Sequence, residues 1–154
     1  MRTDGCSAGK EIGSLRAERD HLQPGLTPAR VNAMGSLALA HVGDAVFELL
    51  VRLHLAEEGR ETAENLHLAS VVMVKASAQA RDMRTILPAL SEEELAVYHR
   101  GRNAHVHSVP KHAKTGDYHE ATALEALLGY LYLLGRRERV NELFQLILEV
   151  DHAD

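Results

Sequence analysis

The sequence predicts an all-α domain, a bundle of helices around one core, and three observations predict it. Apolar residues recur at spacings of three and four in several separate stretches, the period of a helix face. Cap and stop signals bound those stretches: Thr27-Pro28, Thr62 and the Ser91/Glu94 pair at starts, Gly59 and Gly135 at ends. No run of alternating apolar and polar residues competes as a strand. At 154 residues the chain fits one domain, and 45% hydrophobic with 25% charged residues is the composition of an ordinary folded protein.

The elements follow in order. Residues 1–26 mix Gly, Ser, Asp and Arg without period and end at the Pro24-Gly25 turn, so they read as a flexible leader before a folded domain at 27–150. Thr27 caps a short helix or turn with Pro28 at its first position, where the missing N–H costs nothing. From Ser36 to Glu57, Leu39, Val42, Val46, Leu49, Leu50 and Leu53 mark a helix of roughly 30 Å. Thr62 starts a second long helix, expected to run to the break at Pro88 with Leu66, Ala69, Val72, Met73, Ala76 and Ala80 on one side. Ser91 and Glu94 form a capping box opening a third, which passes through Leu95, Val97 and Tyr98 and fades at Gly101. Residues 103–116 have no period and hold three histidines, two lysines and a proline, the pattern of a functional loop. A fourth helix is expected from about Tyr118 to Leu134, and a fifth from about Arg137 to Val150 packing Val140, Leu143, Ile147 and Val150. With 4% aromatic residues, the core should be Leu, Val and Ala.

Composition narrows the function classes. The longest apolar run, Val46 to Val51, is interrupted by Glu48 and falls far short of the ~18 residues a membrane span needs, so no membrane partner is expected. The N-terminus lacks a signal-peptide core, and the single cysteine, Cys6, gives neither a disulfide framework nor a metal cage; a cytoplasmic protein is expected. A net charge of −5 argues against broad electrostatic capture of nucleic acid, so any such surface must be local.

Two acids stand where apolar residues belong. Asp44 shares its helix side with Ala40, Phe47 and Val51, a face expected to be buried, and Glu125 has Ala121, Leu128, Gly129 and Tyr132 around it. An ionised carboxylate there costs several kcal/mol unless compensated, and neither helix offers an evident buried base. Gly43 and Gly129 give each helix a notch where backbones can approach, so the acids can converge. Carboxylate oxygens, water and phosphate suit Mg²⁺, which activates water for phosphodiester cleavage. Loop capping, or pairing with distant bases, is the alternative that spacing leaves open.

The stretch LAHVGDAVFELLVRLHL from Leu39 resembles the signature segment of the ribonuclease III domain, in which a Gly-Asp-Ala-Val core carries a catalytic aspartate; Asp44 matches it. TALEALLGYLYLLG from Thr122 resembles the second metal-binding segment of that family and places Glu125 on its catalytic glutamate. RGRNA at Arg100 to Ala104 and VPK at Val109 to Lys111 resemble Mini-ribonuclease III in particular, and the match extends over about residues 36–149. Ribonuclease III proper has a further glutamate four residues before the aspartate and an aspartate three before the glutamate. Here those are Ala40 and Thr122, the Mini-ribonuclease III pattern, which leaves one protein-held Mg²⁺ per site as the expectation, with Mn²⁺ able to substitute. The resemblance implies a ribonuclease III-type helical endonuclease domain that works as a homodimer, with two sites facing a shared valley, each cutting one strand of double-stranded RNA. It implies 5′-phosphate and 3′-hydroxyl ends, the precursor of large-subunit (23S) ribosomal RNA as substrate, and a catalytic domain that grips RNA without an appended RNA-binding domain.

Arg100, Arg102, Asn103, Lys111 and Lys114 cluster at the end of the third helix and in the following loop, where they are expected to contact phosphates and 2′-hydroxyls of RNA; for Arg100 a solvated helix C-terminus explains the residue as well. Lys75 and His67 on the sparsely charged second helix are weaker candidates for substrate phosphates, equally explained by exposure at a dimer edge. His105, His107 and His112 have irregular loop spacing and no accompanying cysteine, which speaks against zinc. His41 and Glu48, one turn before and after Asp44, read as a structural donor and an exposed glutamate. Two rivals remain. A catalytically silent RNA-binding or ribosome-assembly module fits the loss of acids at Ala40 and Thr122. A helical nucleotide pyrophosphohydrolase fits poorly, because Gly59 ends the helix among Glu57, Glu58 and Glu61.

Overall fold

A computed structural model describes residues 19–59, 62–104, 111 and 114–151, with the last by its backbone alone. Seven α-helices occur among the described residues: α1 (Pro28–Asn32), α2 (Ser36–Glu57), α3 (Ala63–Val74), α4 (Ala76–Ile86), α5 (Glu92–Arg102), α6 (Thr115–Leu133) and α7 (Arg137–Asp151), with a 3₁₀ turn at Leu87–Ala89. The all-α expectation holds, and no strand is found among the described residues.

Local chemistry sets most boundaries where the sequence put them. Thr27 Oγ1 accepts from Arg30 N at 3.3 Å and Thr62 Oγ1 from Asn65 N at 3.2 Å, each satisfying an orphan first-turn donor. Ser91 and Glu94 form the reciprocal capping box, at 3.2 and 2.9 Å. Helix α6 ends on Gly135 at φ +77, where Gly135 N donates to Tyr132 O and Arg136 N to Leu131 O, the paired bonds of a left-handed C-terminal cap.

Three expectations need correction. The second long helix breaks at Lys75, whose extended backbone (φ −62, ψ 152) closes α3 and opens α4; Gln79 then donates from Nε2 to the freed Val74 carbonyl at 2.7 Å. The stripe on α2 is only partly inward: Leu39 is buried and Val46 and Leu50 pack on the core, and Phe47 and Val51 are buried as expected of their face, whereas Leu49 and Leu53 are 57% and 51% exposed. Val150 at the end of α7 is also exposed, while Val140, Leu143 and Ile147 are buried as expected. The leader reading falls largely outside the described residues. Residues 19–26 are mostly exposed and touch the body at two points, where Leu26 packs on the core and the Tyr132 hydroxyl donates to the Leu22 carbonyl.

Helix α6 is the axis of the fold. From Glu120 to Leu131 every residue except Glu125 is buried, so this helix is surrounded rather than amphipathic, with α2, α4 and α5 packed around it. The core combines Leu124, Leu127, Leu128 and Leu131 with Phe47, Val51, Met83, Ile86, Leu143 and Ile147. Aromatic residues contribute more than their number suggested, since Phe47 and Phe144 meet edge to face at 6.3 Å. Arg139 ties α7 to the start of α5 through two bonds of 2.9 Å to buried Glu94 and one of 2.7 Å to the Ala89 carbonyl.

Among the described glycines, those at the crossing of α2 over α6 leave the least room. A Cβ added at Gly43 would lie 1.6 Å from the Glu125 carbonyl oxygen, and one at Gly129 would lie 2.0 Å from the Leu39 carbonyl oxygen. Both obstacles are backbone, which cannot rotate away as a side chain can. Gly43→Ala is therefore expected to cost more than about 3 kcal/mol or to abolish folding, whereas Gly116→Ala, at a position with nothing within 4 Å, should leave the unfolding midpoint nearly unchanged. Thermal unfolding of the two variants beside the parent tests this, and a Gly43→Ala protein of parental stability refutes the crossing.

Candidate active site

The glycine crossing brings the two acids together. Gly43 places α2 against the backbone of Glu125 itself, and Asp44 is its next residue. Asp44 is exposed, not buried as its helix-side partners suggested: Ala40, Phe47 and Val51 face the core, and Asp44 stands at the rim of that face. Glu125 is half-buried in the same cleft. Burial pushes its carboxyl up to about 7, the charge of Asp44 adds to that push, and a hydrogen bond from the Gln79 amide opposes it. The two carboxylates therefore interact across the crossing.

Sequence reasoning missed Gln79. It lies in α4, packed against α6, and is 4% exposed. A glutamine on the buried face of a helix carries no spacing signature, and the break at Lys75 that turns it inward was not anticipated.

The chemistry of the pair suits a hard divalent cation: two carboxylates, the half-buried one pushed up by burial and by the charge of the other. Asp44 and Glu125 are the side chains that would hold it. No group of three or more His, Cys, Asp or Glu residues able to share an ion occurs among the described residues. Positions 40 and 122 agree with that count, since Ala40 is buried and buried Thr122 spends its hydroxyl on the Tyr118 carbonyl at 2.9 Å.

The expected RNA contacts are all exposed. Lys75 is exposed at the α3–α4 break. Arg100, Arg102, Asn103, Lys111 and Lys114 are all exposed, with Asn103 closing α5 and Lys114 opening α6. Arg102, however, has a structural partner: its Nε donates to Glu120 Oε1 at 2.7 Å, and the Tyr98 hydroxyl donates to the same carboxylate at 2.9 Å. Gly101 between the two arginines packs on Ala123 and Ala126, a face of α6 turned away from Glu125. The histidines at 105, 107 and 112 lie outside the described residues, as does most of the 103–116 loop. Glu48 pairs with Arg52 at 2.7 Å, and His41 is exposed.

The ribonuclease III domain family matches residues 37–136, a span that includes both acids. The chain belongs to the Mini-ribonuclease III family. It is 47% identical over 114 residues to the Mini-ribonuclease 3 of Brevibacillus brevis, covering 74% of this chain and 85% of that one. To the Mini-ribonuclease 3 of Symbiobacterium thermophilum it is 45% identical over 109 residues, 71% of this chain and 84% of the relative. A crystal structure of a Fusobacterium nucleatum protein superposes with a TM-score of 0.72 at 28% identity, over 80% of this chain and 99% of that one. Family membership makes nuclease chemistry the frame in which the paired acids are read.

The raised Glu125 carboxyl gives a test of the cleft in the metal-free protein. Its folded value of about 7 lies above the ordinary 4.5, so between these the folded state binds the extra proton and this group's contribution to stability falls as pH rises. Glu125→Gln removes that dependence. In chelator, the midpoint of the variant minus that of the parent should grow from pH 5 to pH 8; a difference that stays flat would contradict the raised carboxyl.

Proposed function

We propose that the chain is a Mg²⁺-dependent endoribonuclease that cleaves double-stranded RNA, with Asp44 and Glu125 as its metal-binding catalytic pair. The observation that carries this reading is the approach of these acids at the Gly43–Gly129 crossing, in a chain of the Mini-ribonuclease III family. A bound Mg²⁺ supplies an activated water and neutralises charge on the phosphate under attack. The chain's own residues do the rest. Exposed Asp44 presents its carboxylate at the cleft mouth, while half-buried Glu125 draws the cation inward, because its own ionisation is costly without one. The exposed basic residues Lys75, Arg100, Lys111 and Lys114, with Asn103, serve to hold the phosphate backbone. Arg102 shares that role only with the nitrogens its ion pair leaves over. Precursor large-subunit ribosomal RNA is the substrate proposed, as the family resemblance implies, and the cytoplasm is the compartment.

A silent RNA-binding module is favoured by one observation, the absence of acids at positions 40 and 122. The upward push on Glu125 speaks against it, since a carboxylate kept at a cost in stability and beside a second acid has a use only when it binds something positive. Incubation with long duplex RNA and Mg²⁺ separates the two. Duplex shortening should be abolished by chelator and reduced more than about a hundredfold in Asp44→Asn and Glu125→Gln, since even outer-shell changes at metal sites cost ~10–100-fold. RNA retained at full length by the parent protein would establish the binding module instead.

The reading includes a homodimer. Val42, Val46, Leu49, Leu50 and Leu53 of α2 line a 530 Å³ groove with Tyr132 and Val140, an apolar surface on the helix that carries Asp44. Leucines more than half exposed in a row along one helix are what an interface core covers. A second copy seated there brings the two Asp44-bearing helices together, as cutting both strands requires. Leu49→Glu, at an exposed position that folding tolerates, should convert a dimer to a monomer in sedimentation; a monomeric parent protein, or a variant that stays dimeric, counts against this face.

A further inference from the structure

Helix α3 is apolar from Leu66 to Val74 at every position but two, His67 and Ser70. The two stand three residues apart on one side of the helix. With Ala63, Leu66 and, from the facing helix α2, Arg52, they line a 270 Å³ groove. Ser70 is 7% exposed, and its hydroxyl donates to the His67 carbonyl at 3.0 Å, inside its own helix. Such a bond slightly weakens a helix, and an alanine would fill the same place. Stability therefore does not explain the serine.

The chemistry of the groove does. With its proton given to the backbone, Ser70 Oγ is left to accept. Arg52, whose side chain is 67% exposed, spends one guanidinium nitrogen on Glu48 at 2.7 Å and keeps further N–H groups to give; exposed His67 adds an imidazole. Donors for an anion beside an acceptor for a hydroxyl match a phosphate and the 2′-hydroxyl of its ribose, the group that separates RNA from DNA. The position fits as well. Asp44, Glu48 and Arg52 follow at four-residue intervals along α2, so the groove lies on the side of that helix that carries Asp44, about 12 Å further along. We propose that this groove is a ribose-phosphate subsite for the duplex: Arg52 and His67 hold a phosphate, and Ser70 accepts the neighbouring 2′-hydroxyl.

This inference rests on the duplex-RNA reading above, and the test separates the two. Binding of an RNA duplex, and of a DNA duplex of the same sequence, is measured by fluorescence anisotropy with Ca²⁺ in place of Mg²⁺ over a range of salt, for the full chain, Arg52→Gln and Ser70→Ala. RNA cleavage is followed in Mg²⁺. Arg52→Gln should weaken RNA binding about tenfold and make the plot of log affinity against log salt shallower by about 1 for each copy of the chain bound. Ser70→Ala should weaken RNA binding about fivefold at unchanged slope and leave DNA binding as it was, because only RNA carries the hydroxyl. A parental slope in Arg52→Gln overturns the phosphate contact, even where Ser70→Ala fails to fold. A Ser70→Ala loss shared equally by RNA and DNA, or no loss at all, overturns the 2′-hydroxyl contact. Where both variants bind as the parent does and the parent cleaves duplex RNA, the subsite falls and the nuclease reading stands; a parent protein that neither holds nor cuts RNA overturns both.

Discussion

The contact of α2 with α6 at Gly43 and Gly129 is the constraint from which the rest of the structure follows. Two helices with ordinary side chains at their contact keep their axes 8–10 Å apart; here each backbone meets the carbonyl of the other helix where a Cβ would be. That approach makes α6 the surrounded axis of the domain. It also fixes the neighbours of the two glycines, Asp44 on one helix and Glu125 on the other, with no dependence on a loop. Functional groups set on rigid crossing helices are held more precisely than groups on loops, and for two carboxylates sharing one ion that precision is the requirement.

Helix α6 carries two acids that the fold treats in opposite ways. Glu120 is the more deeply buried, yet it is satisfied by the Tyr98 hydroxyl and the Arg102 guanidinium. Glu125 keeps more exposure, but its neighbours are another acid and a single amide, and its carboxyl is driven up to about 7. Burial alone does not distinguish a structural acid from a functional one; the partners do. Glu120 serves to bind α5 to α6, and the same bond commits the Arg102 Nε to the fold. Glu125 is left short of compensation, a deficit that a cation would make good on the proposed reading.

Much of this was legible in the sequence because it is local. Caps at Thr27, Thr62 and Ser91 and the stop at Gly135 each depend on a few adjacent residues, and the helices between them follow from period. The glycines beside the two acids announced a close approach for the same reason: only that residue type permits it. What failed to be legible depends on partners in space. The extended backbone at Lys75 has no proline or glycine to signal it, so α3 and α4 read as one helix. Burial of Asp44 was inferred from its helix-side companions, but a side of a helix has a rim, and period cannot say which residue stands on it. Gln79 was silent because its bond goes to the Val74 carbonyl that the unsignalled break at Lys75 sets free.

The offset of the α2 stripe carries the last step. Period placed Leu49 and Leu53 in one stripe with Leu39, Val46 and Leu50, and the structure leaves those two more than half exposed while Phe47, Val51 and Leu55 are buried. A helix with apolar residues on more than one side has more than one apolar neighbour; within the chain α2 packs on α6, α3 and α5 and meets Phe144 of α7, yet Leu49 and Leu53 remain more than half exposed. The surplus is not an error of the pattern. The helix that carries Asp44 is written for two partners, one supplied by its own chain through glycine and one that a flat row of leucines is suited to meet. On the proposed reading catalysis and association share a single rigid element, so that whatever docks at Leu49 is held in fixed register to Asp44, less than two turns away.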